Sequence, residues 1–247
     1  HVRSRRQRQM CIRDRRKAGA REWGALAVLM LPVLLVSVNN TALSFALPAI
    51  SQGLRPTGAQ LLWIVDVYPL ILAALLIPMG SLGDRIGRRK MLIIGSSGFG
   101  AVSLLATFAP SAEFLLAARV GTAIFGSMLL PTTLSLLRTV FRDDRQRSLA
   151  IAIWTAGFSA GAGLGPIAGG FLLNHFWWGS VFLLAVPALV AFLIAAPLLL
   201  PESRDPNPGP VDPASIVLAV ATMAPVVYGI KSLAIGGSPL HPSLINI

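Results

Sequence analysis

The sequence predicts an all-α membrane protein, a six-helix bundle followed by one additional transmembrane helix. Three observations lead there. Hydrophobic residues make up 54% of the 247 residues and charged ones 13%, with a mean hydropathy of +0.70, far from the habits of soluble domains. Several apolar runs are long enough to cross a hydrocarbon core of roughly 30 Å, which takes about 20 residues rising about 1.5 Å each. The bases fall mainly outside those runs, in short segments between them and near the N-terminus.

The runs cover 24–48, 61–79, 91–110, 113–136, 148–173, 178–199 and 214–234. In hydrocarbon every backbone N–H and C=O must be satisfied within the structure, so uniformly apolar runs of this length favour helices; strands of a closed barrel would alternate. Residues 201–213, PESRDPNPGPVDP, hold prolines that prevent a continuous helix and mark a linker. The predicted organisation is therefore a basic arm at 1–22, a six-helix half at 23–200, the linker at 201–213, and a seventh span with an outer tail at 214–247. The six spans divide into two triplets of opposite orientation, with the seventh beside them. The sequence stops at Ile247 without a closing element and reads as part of a longer protein.

The formal charge of +11 does not point to nucleic acid. Residues 1–22 hold nine bases against Asp14 and Glu22, a net of +7, which leaves +4 for the rest. That arm lacks helical or strand periodicity and is more similar to translated read-through of a sequencing adapter than to a natural arm; a genuine basic tail is the alternative. It also carries Cys11, the only cysteine, so no disulfide framework or cysteine metal site is available. Arg85, Arg88, Arg89 and Lys90 lie between the second and third spans, and Arg138, Arg142, Arg145 and Arg147 between the fourth and fifth. The intervening outer loops contain one arginine, so the basic loops and the N-terminus are expected on the cytoplasmic side.

Three features exceed what topology requires. Between spans two and three, GSLGDRIGRRK combines Gly80, Gly83 and Gly87 with Asp84, Arg85, Arg88 and Arg89. Glycines permit a short reversal there, and an aspartate can accept from free N–H groups at a helix end. In the fifth span Gly157, Gly161, Gly165 and Gly169 recur every four residues beside Gly163, Pro166 and Gly170, a side-chain-free stripe along which another helix can approach. Asp66 and Arg119 are the clear charges within spans. Both lie about six residues from the outer end, roughly 9 Å deep. Intramembrane charges are costly unless paired or facing water, so the two are expected to interact.

The loop resembles the signature G-x-L-x-D-R-x-G-R-[RK] of the major facilitator superfamily. LLAARVGTAIFG and GFSAGAGLGPIAGG are similar to its fourth-span arginine motif and its fifth-span antiporter motif. NNTALSFALP, LLWIVDVYPL and FWWGSVFLLAVP are similar to its fourteen-helix drug:proton antiporters, especially pumps for quaternary ammonium compounds and methyl viologen. The resemblance covers about 24–235 and implies the N-terminal half of a multidrug antiporter in the cytoplasmic membrane. It implies that Asp84, Arg85 and Arg88 act in a cytoplasmic gate with the loop glycines and Arg89. It also implies that Asp66 and Arg119 couple protons to substrate, and that the fifth-span stripe meets a helix of the missing second half. Asn39 stands where those pumps usually carry an aspartate and cannot ionise. Asn39, Asn40 and Thr41 offer hydrogen bonds to a neutral or zwitterionic substrate, and Trp63 and Tyr68 a π-face to a cation, with anchoring at the outer interface the alternative for Trp63.

The partners expected are a small-molecule substrate, protons, the bilayer and the second half of the transporter. No cofactor, metal or enzyme activity is expected, since no H-E-x-x-H, G-x-S-x-G or Walker loop occurs. A nutrient symporter or uniporter of the same fold, or a membrane sensor, is the competing reading.

Overall fold

The computed structural model describes residues 18–204 and Leu218. Helices are α1 (Ala20–Leu54), α2 (Gly58–Ile86), α3 (Arg88–Thr107), α4 (Ala112–Val140), α5 (Asp144–His175), α6 (Ser180–Leu183) and α7 (Ala185–Leu199). Only Leu184, itself helical at φ −54° and ψ −31°, separates α6 from α7, and together they form the sixth of the six helices among the described residues that are long and apolar enough to cross a membrane. The seventh span, most of the linker and most of the basic arm lie outside the described residues.

The helices outrun the apolar runs because polar caps beyond the hydrocarbon still satisfy their ends. Thr57 accepts from the Gln60 amide at 3.2 Å while the Gln60 side chain accepts from the Thr57 amide at 2.9 Å, a reciprocal box that starts α2. Ser111 and Asp143 cap α4 and α5 by accepting from Phe114 and Gln146. Arg55, left-handed at φ 47°, ends α1. Gly87 separates α2 from α3 at φ 112°, where a side chain would be strained and its Cβ would press on Glu202.

Packing follows a two-fold pattern. The most extensive helix pairs are α1 with α5 and α2 with α4. Exchanging α1 with α4, α2 with α5, and α3 with α6–α7 turns the first pair into the second, and turns the α3–α4 contact into α1–α7. Helices three spans apart run in opposite directions, so this exchange is that of two inverted triplets, as the span count predicts. One buried cluster, including Leu29, Phe99, Leu136 and Phe192, lies toward the end bearing the basic loops. A second, including Ala46, Ile64, Leu115 and Phe182, lies toward the other. The symmetry mates α2 and α5 are the least covered helices, leaving Ile77 79% and Ile167 70% exposed.

The glycine stripe of α5 corrects the expectation about its partner. Gly157 faces the Met30 side chain, Gly161 faces Leu34 and Ser37, and Gly165 and Gly169 face Thr41 and Ala42, all on α1 of the same half. A Cβ at Gly161 would lie 3.1 Å from the Leu34 carbonyl oxygen, and one at Gly165 3.0 Å from the Ala42 nitrogen. The approach also lets Ser37 Oγ donate to the Phe158 carbonyl at 2.6 Å across the two helices. A Cβ at Gly163 or Gly170, on another face, would meet nothing within 4 Å among the described residues.

Gly165→Val should therefore separate α1 from α5 at a cost of about 1–3 kcal/mol. Gly163→Ala should be neutral or stabilising by up to about 1 kcal/mol. Thermal unfolding in detergent distinguishes them; equal losses would refute the asymmetric packing.

Candidate functional site

The deepest polar centre forms where α1, α2 and α4 meet. Arg119 is 1% exposed and is the largest fully buried side chain. Its Nη1 donates to Asn39 Oδ1 at 2.6 Å and its Nε to the Ile64 carbonyl at 3.1 Å. The guanidinium carbon stands 4.4 Å from the centroid of the Tyr68 ring, within cation–π range. Tyr68 is buried as well, and Gly126 leaves room for its hydroxyl, which a Cβ there would approach to 3.2 Å. Among the described residues, Arg119 Nη2 and Tyr68 Oη have no hydrogen-bond partner.

This corrects the expected pairing with Asp66. The hydrogen bonds of the guanidinium run to Asn39 and Ile64. Ile64 and Tyr68, four residues apart, share the face of α2 turned to α4; Asp66, two residues from each, lies about 200° around the helix. It falls on the stripe of Leu62, Pro69, Ala73 and Ile77, all exposed, and is itself half-buried. Equal depth was legible in the sequence, but azimuth separates the two charges. Tyr68 likewise gives its ring to a cation, and that cation is Arg119.

The remaining first-span residues diverge. Asn40 is exposed, whereas Thr41 is half-buried and its hydroxyl donates back to the Ser37 carbonyl at 3.2 Å. Trp63 is 39% exposed on α2. In α5, Pro166 lies half-buried between the two glycine faces.

The basic loop forms the second constellation. Arg88 Nε donates to Asp84 at 2.8 Å, and Nη1 donates to Thr139 Oγ1 at 2.6 Å and to Ser203 Oγ at 3.3 Å. The Arg88 amide donates to the Ser203 carbonyl at 2.9 Å. Arg89 reaches Glu202 at 3.7 Å and donates to the Leu200 carbonyl at 3.3 Å. Gly80 packs against Pro131 and Gly83 against Thr132 and Met91, which brings α2 close to α4. Arg85 is exposed on the same turn. The start of the linker is thus fastened to the loop, a role for Glu202 and Ser203 that sequence reasoning missed because PESR reads only as a helix stop.

An inverted-repeat six-helix bundle with this loop and a buried fourth-helix arginine defines one half of a multi-pass transporter fold. The family model of the Major Facilitator Superfamily matches residues 29–240, and the chain belongs to that family. It is 60% identical to the multidrug efflux pump LfrA of Mycolicibacterium smegmatis over 88% of this chain and 43% of that protein. It is 37% identical to the methyl viologen resistance protein SmvA of Salmonella typhimurium over 86% and 43%. To the tetracenomycin C resistance and export protein of Streptomyces glaucescens it is 35% identical over 90% and 41%. The chain thus spans about two-fifths of the length of these relatives. The crystal structure of a peptide transporter, POT, with sulfate superposes with a TM-score of 0.64 at 19% identity over 88% of this chain and 47% of that one, a likeness of fold.

In the loop, Asp84→Ala removes the carboxylate partner of a mostly buried guanidinium and should cost about 1.5–3 kcal/mol. Glu202→Ala opens a longer, more exposed pair and should cost about 0.2–1 kcal/mol. Unfolding midpoints of the two variants check the order; a larger loss for Glu202→Ala would reverse it.

Proposed function

We propose that the whole protein exports lipophilic cationic drugs across the cytoplasmic membrane in exchange for protons, with this chain as its N-terminal half and the N-terminus inside. The observation that carries the reading is the 60% identity to a multidrug efflux pump across nearly all of this chain. The methyl viologen relative supports a cationic substrate, and the tetracenomycin relative supports export of a lipophilic drug. Such a protein is a transporter and no enzyme, and its second substrate-lining half lies outside this chain. Facilitator transporters place their site between two halves near the bilayer midplane. The least covered helices, α2 and α5, are the surfaces available for that second half.

Asp66 is the coupling carboxylate in this reading. It lies on the uncovered stripe of α2, away from the Arg119 centre, where a substrate between the halves can reach it. A carboxyl in a low-dielectric path is neutralised by a proton or by a cationic substrate, and competition at one group links the two flows. Arg119 acts as a fixed charge at the wall of this path. The loop around Asp84, Arg85 and Arg88, fastened to Glu202 and Ser203, acts as the cytoplasmic gate.

Ethidium efflux from energised cells tests the reading. The complete protein should lower ethidium accumulation in a proton-dependent way, and Asp66→Asn at equal expression should abolish most of that effect. Unchanged, proton-dependent efflux by the variant would remove Asp66 from the mechanism; no efflux by the wild type would remove the exporter reading.

A further inference from the structure

The partners of Arg119 carry a consequence that reaches beyond export itself, although its meaning for coupling rests on that reading. A guanidinium remains protonated in proteins, and this one is 1% exposed. Asn39 Oδ1, the Ile64 carbonyl and the Tyr68 ring hold it, and all three are neutral. An amide oxygen has the shape and acceptor geometry of a carboxylate oxygen without its charge or its capacity to take a proton. Asn39 therefore orients Arg119 as an aspartate would while leaving the centre cationic at every pH the cell meets.

No other ionisable group compensates among the described residues. From α2, Tyr68 faces the guanidinium and Asp66 lies around the helix. The α5 face packed on α1, residues 157–169, contains no ionisable side chain, and neither does α7. On α3 the bases Arg88, Arg89 and Lys90 stand at the basic end. On α4, Glu113 and Arg138 lie in the first and last turns, and on α1 Glu22 lies in the first.

We propose that Asn39 is a positioning residue that orients Arg119 without itself taking a proton and thereby keeps this centre out of proton exchange, so that the transporter moves one proton fewer per substrate than it would with a carboxylate at position 39. With a carboxylate there, the pair would be neutral when deprotonated and singly positive when protonated, and the centre would carry a proton through the cycle. With Asn39 it is singly positive throughout.

The test uses the complete transporter reconstituted in vesicles, with ethidium and proton fluxes recorded together. Asn39→Asp should raise the protons exchanged per ethidium by one and make transport more responsive to an inside-negative potential. Asn39→Ala, which removes the acceptor without adding a carboxyl, should keep the wild-type ratio while weakening transport several-fold. An unchanged ratio in Asn39→Asp, or an altered ratio in Asn39→Ala, overturns the proposal. A transport-independent arm separates its failure from that of the exporter reading: infrared titration of Asn39→Asp in detergent, with and without Arg119→Met. The introduced carboxyl should titrate at a clearly higher pH when Arg119 is absent; a midpoint indifferent to Arg119 overturns the proposal even if ethidium is never moved.

Discussion

The buried guanidinium of Arg119 is the constraint to which the neighbouring structure answers. Taking a cation out of water costs several kcal/mol even after the protein relaxes, and a buried donor without a partner costs about 1–3 kcal/mol more. Asn39 from α1, the Ile64 carbonyl and Tyr68 from α2 recover part of that cost. In doing so they fix how three helices meet at one depth. Gly126 yields the space that Tyr68 needs, and Ile64 must turn its carbonyl toward α4. An apolar residue in place of Arg119 would be less costly to bury, so stability alone does not account for the charge.

Around that centre the two inverted triplets divide the work. Each triplet lays one helix closely along the other, α5 on α1 and α2 on α4, and the glycines of α5 make the first approach close enough for Ser37 to bond the opposite backbone. The same arrangement leaves α2 and α5 uncovered on symmetry-related faces. The bundle is thus tight along α1–α5 and α2–α4 and open along the outer faces of α2 and α5. The loop at Gly87 is fastened to the start of the linker, through Arg89 to Glu202 and Arg88 to Ser203.

Much of this was legible in the sequence, and the failures share a cause. Helix existence followed from hydropathy, since hydrocarbon leaves few alternatives for the backbone; helix ends did not, because capping by Thr57, Ser111 and Asp143 carries the helices past the apolar runs. The stripe of Gly157, Gly161, Gly165 and Gly169 announced a close helix contact, but a flat surface does not name its partner, and that partner proved to be α1. Depth matched Asp66 with Arg119, yet a helix also has an azimuth, and two positions along α2 turn a side chain about 200° away. The Asn39 contact joins residues 80 positions apart. No local pattern marks it, and the amide that suggested a substrate contact is already engaged by the chain's own cation.

The most direct test is an electron cryo-microscopy map of the whole transporter in a lipid nanodisc, at a resolution that shows side chains. Continuous density is expected from the Arg119 guanidinium to Asn39, with Tyr68 stacked on it and Asp66 on the opposite side of α2. Density joining Arg119 to Asp66, with Asn39 turned elsewhere, would contradict it.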